Sequence, residues 1–105
     1  MEIVIHGHQT DVTDALRIRA EEGARKLAAH LKRVVDADIR FEEDGVFKTV
    51  EIVLHAPNHT NLVAKAAAKH HGPALTDAIA KLDAQIRKVK SADKKQRVNG
   101  ASTRA

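Results

Sequence analysis

The chain has 105 residues with 18 Lys/Arg against 14 Asp/Glu, a formal charge of +4, and contains no cysteine, tryptophan or tyrosine. That length suits a single two-layer core, and the missing cysteines exclude disulfides, thiolate metal sites and cysteine nucleophiles. No apolar run approaches a bilayer span of about 20 residues, and the opening MEIVIHGHQT lacks the pattern of a signal peptide, so a cytoplasmic protein is expected.

Glu2 to His8 reads as a strand, with Ile3 and Ile5 alternating against Val4, His6 and His8. Thr13 is a good N-cap for a helix to about Arg33, whose apolar stripe is Leu16, Ala20, Gly23, Ala24, Leu27 and Leu31. Gly23 in mid-helix costs about 1 kcal/mol relative to alanine unless its bareness permits close packing. Ala37, Ile39 and Phe41 alternate with Asp38, Arg40 and Glu42 in a second strand, and Asp44-Gly45 signals a hairpin. A third strand passes through Val50, Ile52 and Leu54 to a turn at Pro57-Asn58-His59, and a fourth runs from Leu62 to about Lys69. Its alanines favour strands only weakly.

Gly72-Pro73 opens the last helix, with Leu75, Ala78, Ile79, Leu82, Ile86 and Val89 as its stripe. The apolar period fails from about Ser91, which predicts fraying there. The expected organisation is one domain over residues 1–95 and a disordered basic tail over 96–105. The fold class is α+β, a two-layer βαβββα arrangement in which a four-stranded sheet carries two helices on one face.

The positive charge is unevenly placed. Residues 1–80 hold ten Lys/Arg and twelve Asp/Glu, whereas residues 81–105 hold eight and two. At about 100° per residue, Lys81, Lys88 and Lys95 form one row on the last helix, and Arg87, Lys90 and Lys94 a looser row across the apolar stripe. On the first helix Arg19, Lys26 and Arg33 repeat at spacing seven, with Arg25 and Lys32 further round. Solubilising i,i+4 pairs are the plain alternative, but Asp77 before Lys81 and Asp83 before Arg87 account for only two of these cations. The remaining excess points to a polyanion, because clustered cations gain affinity by releasing condensed counterions. With Phe41 and Phe47 the only aromatics, base stacking is scarcely available, which favours recognition of backbone and shape.

No catalytic pattern emerges: there is no Gly-rich phosphate loop, nucleophile elbow or HExxH. Six of the seven histidines fall in scattered pairs (His6 and His8, His55 and His59, His70 and His71), and the histidines are read as surface groups rather than a metal set. Glu42-Glu43-Asp44 at a turn is read as a solvated cluster. Neither a cofactor nor catalysis is expected.

The succession Ile3-x-Ile5-x-Gly7, Val12-Thr13-Asp14-Ala15-Leu16-Arg17, Lys26-Leu27, Val50-Glu51-Ile52 and Ala78-Ile79-x-Lys81-Leu82-x-x-Gln85-Ile86-x-Lys88-x-Lys90 resembles the ribosome hibernation promoting factor family, which includes the ribosome-associated inhibitor and the sigma-54 modulation proteins. The resemblance spans about residues 2–95. It implies a βαβββα fold like a double-stranded RNA-binding domain with an extra leading strand. It also implies binding of the small ribosomal subunit in the mRNA and tRNA channel, which silences intact ribosomes, in some members as dimers, in stress or stationary phase. Carried over by position, it assigns RNA contact to Lys26, Arg33, Lys81, Lys88 and Lys90; charge geometry adds Arg25 and Arg87. The chain departs from the family pattern at Arg19, usually aromatic, at Gly23, usually lysine, and at His70-His71-Gly72-Pro73, usually an acidic and aromatic entry. It looks like a short form. A general double-stranded RNA-binding module and a histidine-based metalloenzyme are the competing readings, and ribosomal sedimentation separates them.

Overall fold

Strand alternation and two amphipathic stripes leave these segments one economical way to bury their apolar positions: a sheet with both helices on one side. The computed structural model describes the backbone of residues 1–31, 34–56 and 61–104, and their side chains as far as Val89. The elements are β1 (Glu2–His8), α1 (Asp14–Ala29), β2 (Asp36–Asp44), β3 (Phe47–His55), β4 (Leu62–Ala68) and α2 (His71–Arg104). The sheet order is β1-β2-β3-β4. The α1 crossover makes β1 parallel to β2, and the two later pairings are antiparallel. The expected turn at Pro57-Asn58-His59 lies outside the described residues.

Register explains the core. Ala37, Ile39 and Phe41 oppose Leu54, Ile52 and Val50, which in turn oppose Leu62, Ala64 and Ala66, and all nine are buried. The alanines that make β4 a weak strand by composition lie beneath α2, which packs on β3 and β4 and buries Ala74, Leu75, Ala78, Leu82 and Ile86. Small residues on both sides allow close approach, so packing overrides propensity. Leu27 and Leu31 join this core from the first-helix segment, and Leu16 and Ile79 pack at its margin. The β2–β3 turn has Gly45 at φ 62°, with no positive φ at Val46. This is the sign pattern of a type II′ hairpin, which places glycine first.

Thr13 caps α1 as predicted, its Oγ1 accepting the Leu16 N–H at 3.2 Å. The helix ends earlier than the stripe suggests, at Ala29 rather than near Arg33. His30 N–H bonds the Leu27 carbonyl and Leu31 N–H the Ala28 carbonyl, both at 3.1 Å. These tighter i,i+3 bonds close the last turn while still delivering Leu31 to the core. At the other extreme α2 stays helical to Arg104, past Ser91 where fraying is predicted and past the 95/96 boundary. No proline follows Pro73, and alanine, lysine, glutamine and arginine in this stretch favour helix even without an apolar face.

Candidate nucleic-acid interface

Two contacts fix how the helices lie together. Arg19 Nη2 donates to Thr76 Oγ1 at 2.8 Å, and a Cβ at Gly23 would come within 2.5 Å of Ile79 Cδ1. Positions 19 and 23 thus meet 76 and 79 in ascending order, so α1 and α2 run side by side in the same direction. The bare backbone at Gly23 serves this close approach. Continuing the row from Arg19 and Gly23 places Lys26 on the flank of α1 towards α2, and continuing Thr76 and Ile79 places Asp83 and Arg87 on the facing flank. Arg87 Nε bonds Asp83 at 3.1 Å and is 80% exposed along its side chain, so the guanidinium is anchored yet open to an anion.

The predicted cations on the described residues therefore lie along two flanks of α2. Lys26 and Arg87 border the groove between the helices. Lys81 and Lys88 lie on the opposite side of α2, above the outer edge of β4, where Lys81 Nζ donates to the Lys65 carbonyl at 3.0 Å and Gln85 Nε2 to the Val63 carbonyl at 2.6 Å. Lys81 thus caps a strand edge rather than pairing with Asp77. Arg25 points outward on α1 beside Glu21, at 3.9 Å. Arg33 lies outside the described residues; Lys90 sits on the α2 backbone, its side chain outside the described set.

The departures from the family pattern compensate one another. Arg19 reaches the α2 entry, with Nη1 3.3 Å from where a Gly72 Cβ would stand, while Thr76 Oγ1 donates to the Gly72 carbonyl at 3.2 Å. His71 is buried, which corrects its reading as a surface group. Its ring meets Phe41 edge-on, centroids 5.3 Å apart, and Nε2–H donates to the Glu42 carbonyl at 3.0 Å. It ties the start of α2 to β2 as an aromatic with a polar handle. Nothing in the one-dimensional pattern pairs positions 41 and 71.

Glu43 is also more than a solvated carboxylate. Lys48 Nζ lies 2.6 Å from it and Thr10 Oγ1 donates to it at 3.1 Å, fastening the β1–α1 connection to the β2–β3 hairpin. The Lys48 bond, followed by that from Thr10, holds its carboxyl below the usual value. A carboxyl depressed by folding contributes stability that is present above its unfolded value and lost as pH falls through the folded one. Acid titration of the thermal midpoint should accordingly show a steeper fall for the wild type than for Glu43→Gln; parallel curves would sink this assignment.

The sheet face away from the helices is uncovered. It presents Glu2, Asp36, Asp38, Glu42, Asp44 and Glu51 against Arg40 and Lys65, with His6, His8 and His55 among them. His6 Nε2 is 3.3 Å from Asp38, and His55 Nδ1 pairs with Asp36. Among the described residues no group of three or more side chains is placed to hold a metal ion.

The model of the family described as Sigma 54 modulation protein / S30EA ribosomal protein matches residues 3–94. The chain belongs to this family. A relative from Azotobacter vinelandii, named ribosome hibernation promoting factor, is 33% identical over 90 residues, covering 86% of this chain and 83% of that protein. Two solved structures share the S30EA family fold seen here. A ribosomal subunit interface protein from Coxiella burnetii superposes with a TM-score of 0.75 at 22% identity, covering 87% of this chain and 99% of that one. The N-terminal domain of Thermus thermophilus Protein Y superposes with a TM-score of 0.75 at 20% identity, covering 85% and 99%.

Proposed function

We propose that this chain is a non-catalytic ribosome hibernation factor of the cytoplasm. In this reading it binds the small ribosomal subunit where mRNA and tRNA run and silences translation in stress or stationary phase. The observation that carries the reading is the paired basic flanking of α2, Lys26 and Arg87 on one side and Lys81 and Lys88 on the other, in a member of a family that includes ribosome hibernation promoting factors. Cations spaced along a rigid helix suit a phosphate backbone, since they position a protein without reading bases. Arg33, Lys90 and Arg25 are the further residues to which this reading assigns RNA contact, and occlusion of the channel follows from occupying it.

Competition on isolated small subunits tests the proposal. The chain should displace tRNA and cosediment with ribosomes from starved cells. Simultaneous, non-competitive occupancy by the chain, mRNA and tRNA on one subunit would remove occlusion and leave a general RNA-binding module.

A further inference from the structure

The two edges of the sheet are treated differently. At β4, Lys81 and Gln85 bond the outward carbonyls of Lys65 and Val63, so side chains from α2 protect that edge. At β1, paired only with β2, no side chain among the described residues bonds the outer backbone groups. Nor does this seven-residue strand carry proline or lysine, common devices against edge pairing.

Glu2 N–H donates to the Val35 carbonyl at 3.2 Å, on the β2 side. Backbone direction alternates along a strand, so Ile3, Ile5 and Gly7 aim N–H and C=O at the open edge. We propose that this edge pairs with β1 of a second copy of the chain, antiparallel about a two-fold axis at Ile5. In that register Ile5 meets Ile5, and Ile3 meets Gly7 on either side. These are the outward-directed residues, as hydrogen-bonded antiparallel pairs require.

The same register is self-complementary in hydrogen-bonding side chains, an imidazole facing a carboxylate. It sets Glu2 of each copy opposite His8 of the other, twice by symmetry, with Val4 opposite His6. Ile3 and Ile5, only half-buried in the single chain, gain cover from their counterparts. The two four-stranded sheets become one continuous sheet, with all four helices on one side. The Thr10–Val12 segment above Gly7 does not stand in the way, because Thr10 bonds Glu43 on β2, away from the free edge. The pairing is independent of RNA binding.

Sedimentation equilibrium of the full chain, taken to about 1 mM, tests this assignment. The wild type should reach twice the chain mass. Ile5→Pro removes an outward N–H that β2 does not use and should abolish the dimer. Glu2→Lys should weaken it by about tenfold by removing the acceptor opposite His8, and adding His8→Glu should restore it by supplying a Lys–Glu pair. Circular dichroism of each variant separates loss of pairing from loss of fold. A wild type monomeric throughout, a dimer indifferent to Ile5→Pro in a folded chain, or an edge filled only by an unrelated extended peptide would each overturn it.

Discussion

Raising monovalent salt from about 50 to about 200 mM should weaken association of this chain with the small ribosomal subunit by roughly a thousandfold, if about six phosphates are contacted. Each neutralised phosphate releases counterions, so the loss compounds with the number of contacts. Reversing three charges should have a comparable effect at fixed low salt. The suitable set is Arg87→Glu, Lys88→Glu and Lys90→Glu, because Lys81 also caps the β4 carbonyls and would confuse stability with binding. Arg87 is 80% exposed and, among the described residues, its salt-bridge partner is Asp83 on the same helix, so its loss should change folding little. Cosedimentation together with thermal unfolding reads both quantities. A triple variant that binds as the wild type does would sink the assignment of the RNA surface to α2.

Leu82→Ala should cost on the order of 2 to 5 kcal/mol, measured by denaturant unfolding. Leu82 is 0% exposed, in the helix turn that sits on β3 and β4. The buried cluster it belongs to includes Ala64, Ala66 and Ala78, whose short side chains cannot extend into the space left behind. The cavity term should therefore stay near its full size. A change below about 0.5 kcal/mol, within the range of surface substitutions, would show that α2 does not pack there.

Periodicity suffices for most of the fold, since alternate residues of β2 and β3 and every third or fourth residue of α2 must face one core. It also places Thr13 at its cap and Gly45 in its turn. It fails where the decisive partner is distant in sequence. Burial of His71 depends on Phe41 and Glu42, and the early end of α1 depends on a tight turn that delivers Leu31 to the core. The two flanks of α2 could be read as rows of cations. That one row overhangs a strand edge and the other a groove requires knowing that α1 lies beside α2 and β4 closes the sheet. Arg19 and Gly72 look like separate departures from the family pattern until both are found bonded to Thr76.

The uncovered sheet face carries six carboxylates against two permanent cations, while the opposite layer bears the basic flanks of α2. Such a separation makes the molecule an electric dipole. In the field of a polyanion it experiences a torque that turns the helices inward and the sheet outward before contact. Approaches in the wrong orientation are repelled by the carboxylates. The acidic face thereby shapes the encounter rate and its geometry without touching the partner, and neutralising Asp36, Asp38 and Glu42 would alter how often a collision succeeds more than how long the complex lasts.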